Sequence, residues 1–144
     1  MIIIGCDSAG YDLKLEIEQF LNDEKISFED VGTIKDEKTD YPIIAKTVAQ
    51  KVVQNKENLG ILCCGTGIGM SMAANKIKGV RAACCSDYFS AKYTRAHNDA
   101  NILCIGGRVL GAGLAKELVK VFLETEFDGG RHQKRVEMIA DLEK

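Results

Sequence analysis

The stretch Leu59-Gly60-Ile61-Leu62-Cys63-Cys64-Gly65-Thr66-Gly67-Ile68-Gly69 decides how this chain is read. A short apolar run climbs to two cysteines and then breaks into glycines at alternate positions. An apolar run of this length bounded by glycine predicts a buried strand. Ile68 to Lys76 then predicts a helix, so the stretch is a strand, a glycine loop and a helix start. Glycines let backbone N–H groups crowd around an oxygen atom, and the free N–H groups and dipole of a helix start favour negative charge there. Cys64 ends the strand inside that field, which predicts a populated thiolate. Cys63 points to the other side of the strand and is expected in the core.

Outward from this stretch, strands and helices alternate. Ile2 to Cys6 predicts a strand, and Asp7-Ser8-Ala9-Gly10 leads into a helix over about residues 11–24 with Leu13, Ile17, Phe20 and Leu21 on one face. Residues 27–31 predict a short strand, residues 32–40 a charged loop, and Tyr41-Pro42 the first turn of a helix whose face is Ile44, Val48, Lys51 and Val52. Beyond the opening stretch, residues 79–85 predict a strand, Ser86-Asp87 the cap of a helix to about Arg95, and His97-Asn98-Asp99 a polar loop. A fifth strand is expected over 101–105. A helix over about 110–124 follows, with Leu110, Leu114, Leu118, Val121 and Phe122 as its stripe. After the joint Asp128-Gly129-Gly130, a last helix runs over about 131–142. This alternation predicts an α/β fold in which helices cover both faces of a five-stranded parallel sheet. Ligands of such sheets bind outside the carboxyl ends of the strands. The candidates are therefore Asp7 and Ser8, Cys64 to Gly69, Ser86 and Asp87, His97 and Asn98, and Arg108.

The composition narrows the classes. With 144 residues, one domain over 1–144 is expected. A net charge of -2 argues against wholesale nucleic-acid binding, and there is no apolar run of about 18 residues to cross a membrane. The six cysteines include two adjacent pairs, Cys63-Cys64 and Cys84-Cys85, and no C-x-x-C, which suits reduced thiols in a cytoplasmic protein. Neither of the two histidines has zinc-type spacing with a cysteine, so no metal is expected.

Gly65-Thr66-Gly67-Ile68-Gly69 is not a Walker A loop, because no Gly-Lys-Ser/Thr follows. It matches half of a dinucleotide fingerprint, with Asp87 at the spacing of a ribose-binding acid, but Met70 stands where the third small residue belongs. His97 suits a general acid or base near neutral pH. Arg131 and Arg135 share a helix face, and with Arg108 they suit a phosphate clamp. A thiolate, a donor-rich loop, a histidine and arginines are the equipment for moving a proton beside a carbonyl on a phosphorylated small molecule. Such a carbon acid ionises only if the developing enediolate oxygen is stabilised.

Gly5-Cys6-Asp7, Thr39-Asp40-Tyr41-Pro42, Cys64-Gly65-Thr66-Gly67-Ile68-Gly69, Ala74-Asn75-Lys76, Arg95-Ala96-His97-Asn98-Asp99, Gly107-Arg108 and Gly129-Gly130-Arg131-His132-Gln133 run collinearly over essentially the whole chain. In these motifs the chain resembles the type B ribose-5-phosphate isomerases of the ribose/galactose isomerase family. The resemblance implies a three-layer α/β/α, Rossmann-like fold. It implies a homodimer or tetramer with active sites shared between subunits; the 131–144 tail, which the alternation does not need, is expected at the subunit interface. It implies interconversion of ribose 5-phosphate and ribulose 5-phosphate in the pentose phosphate pathway through an enediolate, with no cofactor. It assigns Cys64 as the base, and Gly65, Thr66, Gly67, Ile68 and Gly69 as the cradle of the enediolate. Asn98 would contact the substrate hydroxyls or that oxyanion, and His97, with Asp7, would assist ring opening. Arg108, Arg131 and Arg135 would bind the phosphate, and Tyr41 would close the site. Ile68 stands where one branch of the family carries a glutamate base, which places this chain with the cysteine branch. Ser8 stands where the family carries a histidine, which implies weaker phosphate binding or a shifted substrate preference. A six-carbon sugar phosphate such as allose 6-phosphate or galactose 6-phosphate is the alternative substrate. A non-catalytic nucleotide-binding module is the alternative from another class.

Overall fold

Three apolar strands form the centre of the molecule: β1 (Ile2–Cys6), β3 (Leu59–Cys64) and β5 (Ile102–Gly106). They lack polar residues and are buried almost throughout, as strands covered on both faces must be. Two short strands, β2 (Phe28–Asp30) and β4 (Ala82–Cys84), form the edges of a parallel sheet ordered β2-β1-β3-β5-β4. The computed structural model describes residues 1–32 and 38–144, so most of the expected charged loop lies outside the described residues. The helices are α1 (Tyr11–Asp23), α2 (Tyr41–Val52), α3 (Ile68–Ala74), α4 (Tyr88–Asn98), α5 (Ala112–Glu124) and α6 (Arg131–Asp141).

Strand alternation divides the core in two. Ile4, Cys6, Ile61, Cys63 and Ile105 pack with Leu13 and Ile17 of α1 and Leu118 and Phe122 of α5. Ile3, Leu62, Cys64, Ile102 and Cys104 pack with Val48 of α2 and Met70 of α3. The register pairs Cys6 with Cys63 and Cys64 with Gly106, so the ends of the three central strands emerge side by side. The chain runs from β1 outward to β2 and then back past β1 to β3, which makes the gap between β1 and β3 the topological switch point. Open α/β sheets bind their ligands there.

The structure corrects several expectations. His97 and Asn98 are not in a loop but in the last turn of α4, which Asp87 caps at its start by accepting from the Ser90 N–H at 2.7 Å. The helix runs on because Arg95 ties its own end down. Its Nη1 donates to Asp99 Oδ1 at 2.9 Å and to the Ala100 carbonyl at 2.7 Å, while Asp99 takes a left-handed φ of 48°. Leu110 is buried before α5 begins, and Leu114 is exposed because Ala115, Leu118, Val119 and Phe122 form the inward stripe. Lys51 pairs with Glu29 at 3.0 Å across the sheet edge.

Lys14 was not expected inside, yet it is 2% exposed. Its Nζ donates to both oxygens of Asp30 at 2.9 and 2.7 Å. Burial favours the protonated form of the neighbouring Glu18 and raises its pKa to about 7, and its contact with Asp30 adds to the shift. Burial also disfavours ionised Asp30, but hydrogen bonds from Glu18 and Lys14 outweigh it and lower its pKa. The unfolded chain releases the Glu18 proton near 4.5 and the folded chain near 7, so the unfolded state binds fewer protons between those values. Stability therefore falls as pH rises through that window. Glu18→Gln keeps a donor toward Asp30 and should flatten this slope, measured as urea unfolding midpoints below and above the window. An unchanged slope would place the titration elsewhere.

Candidate active site

The glycine loop reverses the chain from β3 into α3 within three residues. Gly67 makes that possible with a φ of 83°. A Cβ there would also lie 3.0 Å from the Ile105 nitrogen and 3.1 Å from the Cys104 carbonyl, so the loop is pressed against β5. The reversal turns the Gly67 N–H back onto Cys64 Sγ, 3.0 Å away. An amide donor aimed at sulfur complements negative charge on it. Of the loop amides expected to face an oxyanion, those of Gly67 and Ile68 are turned inward, the second donating to Thr66 Oγ1 at 3.2 Å. Helix α3 has only 7 residues, so the polarity at its start comes from its free N–H groups rather than from a long macrodipole.

Burial pushes Cys6 up to about 12 and Cys85 up to about 11, and holds Cys63 and Cys104 well above the ordinary range. Cys84 is exposed and still raised by burial of its sulfur and by Cys64, and its Sγ donates to the Thr66 carbonyl at 3.6 Å. That support of the loop from β4 was not foreseen from the sequence.

Around Cys64 the fold gathers part of the expected set. Asp7 follows β1 and uses Oδ1 to accept from the Gly10 N–H at 3.0 Å, which caps the single 3₁₀ turn that carries the exposed Ser8. Tyr41 lies over the first turn of α3, where a Cβ on Gly69 would come within 2.5 Å of its ring. Arg108 is held by its own N–H to the Gly65 carbonyl at 3.0 Å, and its Nη1 lies 3.3 Å from the position of a Gly65 Cβ.

A second group forms where α4 meets α6. His97 Nε2 lies 3.8 Å from Asp128 Oδ2, and the His97 and His132 rings stack 4.1 Å apart at 10°. Arg131 and Arg135 sit exposed on the first turns of α6. Partial burial and the charges of His97 and Arg131 push the His132 pKa down, so it is a neutral ring at neutral pH. His97 and Asn98 line a cleft of about 350 Å³ with Cys84 and Tyr93, and no residue from Cys64 to Gly69 is among its lining residues. A larger cleft, about 560 Å³, lies under α6 between Asn75, Asn98, Ile139 and Leu142 and likewise is not lined by the glycine loop. The chemistry, not the volume, marks the site. Within the chain, Arg108 thus belongs with Cys64, while Arg131 and Arg135 belong with His97.

His97, Asp128 and His132 bring three ligand atoms within 4.8 Å of one another. Stacked imidazoles carry their lone pairs side by side in parallel planes, however, and these do not converge on one ion. The arrangement suits a ring stack with a carboxylate at its edge.

The Ribose/Galactose Isomerase family profile matches residues 2–139. Ribose-5-phosphate isomerase B of Escherichia coli is 47% identical, the match covering 99% of this chain and 95% of the relative. The crystal structure of a ribose 5-phosphate isomerase from Thermotoga maritima superimposes with a TM-score of 0.94 at 46% identity, covering 97% of each chain. The Mycoplasma genitalium ribose-5-phosphate isomerase B, solved with bound ribulose-5-phosphate, gives a TM-score of 0.94 at 41% identity over 99% of this chain and 95% of that one. The chain belongs to the ribose/galactose isomerase family, and it is an isomerase with the family's α/β fold.

Gly67→Ala should test the loop. A side chain at this φ costs about 1–2 kcal/mol, and the turn that delivers the amide to sulfur should relax. Cys64 alkylation by iodoacetamide, followed by peptide mass, should slow relative to the parent while Cys84 alkylation does not. An unchanged Cys64 rate would remove the amide from its role.

Proposed function

We propose that the chain interconverts ribose 5-phosphate and ribulose 5-phosphate by enediolate proton transfer, with Cys64 as the base. The observation that carries this reading is the Gly67 N–H held 3.0 Å from Cys64 Sγ at the end of β3, beside the switch point. The thiolate takes the proton from C2, and the C–H pair becomes the C1–C2 double bond as the aldehyde oxygen gains charge. Return of the Cys64 proton to C1, with transfer of the O2 proton to O1, leaves the ketose. Thr66 and the free amides of residues 65–69 face the growing oxyanion, Asn98 meets the sugar hydroxyls, and Tyr41 covers the loop. His97 serves ring opening. Asp7 is the weaker part of that assignment, because one of its oxygens already caps the 3₁₀ turn. Arg108, Arg131 and Arg135 take the phosphate, to which guanidinium geometry is suited.

The single chain supports a shared site. Cys64 and Arg108 form one group, and His97 with the α6 arginines another, so a homodimer completes each site from two copies. Six free thiols and no helix among the described residues long and apolar enough to cross a membrane accord with a reduced, cytoplasmic enzyme in sugar phosphate metabolism. The family relatives reported above carry names of five-carbon isomerases, which favours ribose 5-phosphate over a six-carbon substrate. Ser8 offers a hydroxyl where the family resemblance calls for a histidine, so phosphate contact there is weaker.

Cys64→Ala should lower turnover of ribose 5-phosphate at least about 100-fold, with the fold retained by circular dichroism, while Cys63→Ala keeps most activity. In heavy water the parent should place deuterium on the carbon beside the carbonyl. Absence of turnover and exchange together with tight nucleotide binding would favour the binding module. Mixing the inactive Cys64→Ala and His97→Ala proteins through a dissociation step should restore roughly a quarter of parental activity, since half the dimers then hold one intact site. No recovery would confine each site to one chain. Ser8→His should lower the Michaelis constant for ribose 5-phosphate, and an unchanged value would show that position 8 does not meet the phosphate.

A further inference from the structure

His97 is held more firmly than an exposed histidine at a helix end needs to be. On one face its ring stacks on His132 at 4.1 Å, and the ring of Tyr93 lies 4.9 Å away at 50°. Phe89 continues the ladder at 4.5 Å from Tyr93, so ring spacings of four residues run along α4. These contacts resist rotation of the imidazole and leave its edge for polar contact. Asp128 meets that edge, with Oδ2 3.8 Å from Nε2. The Asp128 backbone is anchored to the same helix, because its N–H donates to the Ala96 carbonyl at 2.9 Å. Gly129 and Gly130 then turn at φ of 65° and 54° and bring His132 back over the ring. Nothing in the family motif readings gave Asp128 a part. A carboxylate carried on that anchored backbone beside the histidine, with a ring clamp over it, has the form of a base and its orienting group.

We propose that Asp128 is a positioning residue for His97, holding the proton on Nε2 so that Nδ1 carries the lone pair that opens the furanose ring. This rests on the reading of His97 as the ring-opening group. Nδ1 takes the proton of the C1 hydroxyl, and the O–H pair becomes the C1–O1 double bond. The C1–O4 bond breaks with its pair on O4, and the imidazolium returns the proton to O4. Atoms and charge balance without another reactant. The neutral tautomer with hydrogen on Nε2 is the one a carboxylate at that edge selects. A separation of 3.8 Å is longer than a hydrogen bond, and such contacts often tighten only when substrate is bound.

Substrate chemistry supplies a discriminating test. Ribose 5-phosphate closes a five-membered ring through O4, whereas in ribulose 5-phosphate the oxygen that would close such a ring carries the phosphate. The ketose is therefore open, so ring opening precedes proton transfer only in the aldose-to-ketose direction, whereas the return direction forms open-chain aldose that can leave and close in solution. Turnover numbers at saturating substrate are measured in both directions for the parent, Asp128→Asn, Asp128→Glu and His97→Ala, because the equilibrium constant fixes the ratio of the two kcat/KM values in every variant. We expect Asp128→Asn to slow aldose conversion about 10-fold and ketose conversion less than about 2-fold, with Asp128→Glu recovering the aldose rate. His97→Ala should show the same split more strongly, about 100-fold. Equal slowing of both directions in Asp128→Asn, or no slowing of the aldose direction, would overturn the positioning role while leaving the split in His97→Ala intact. If His97→Ala shows no split, the ring-opening reading of His97 fails and this inference fails with it.

Discussion

The chain must turn from β3 into α3 directly beneath the backbone of β5, and much of the site follows from that constraint. A Cβ on Gly106 would sit 2.6 Å from Thr66 Cα, and one on Gly67 would meet the Cys104 and Ile105 backbone. Only glycine on both sides lets the two segments approach. The same turn folds the Gly67 amide onto Cys64 and sets Thr66 against Cys84. It also leaves the Cys64 and Gly65 carbonyls free to accept from Gly107 and Arg108 at 2.8 and 3.0 Å. One backbone reversal thus fixes a thiol, its donor and an arginine.

Electrostatic selection among the cysteines follows from position along and across the sheet. Cys63 and Cys104 lie wholly inside, where charge has no solvation, and stay protonated. Cys64 is nearly as buried, at 5% exposure, but it is the thiol at the strand's exit, where a backbone amide is turned to meet it. What sets Cys64 apart from the other buried thiols is the backbone amide turned onto it.

Much of this was legible in the sequence. The apolar runs at 2–6, 59–64 and 102–105 leave no residue pattern other than strands covered on both faces. The alternation of Cys63 and Cys64 follows from the two-residue period of a strand. The end of α4 was not legible, because His97-Asn98-Asp99 is as polar as a loop and only Arg95, reaching across to Asp99 and Ala100, carries the helix through it. Lys14 was hidden for a similar reason. Helical period places it beside apolar neighbours, but the carboxylate that makes its burial tolerable is 16 residues away on β2.

The sequence by itself determined the order of elements and the thiol at the end of a central strand. Each of these rests on short-range periodicity and on the backbone freedom of particular glycines, which a linear chain carries openly. Tertiary structure alone decided which of the candidate site residues stand together. Arg108 is brought to the glycine loop by the pairing of β3 with β5, while Arg131 and Arg135 travel with α6 to His97. It also decided that Asp128 faces His97 rather than solvent alone, because that contact depends on how α4 and the α6 turn pack, and no spacing along the chain encodes a distance across it.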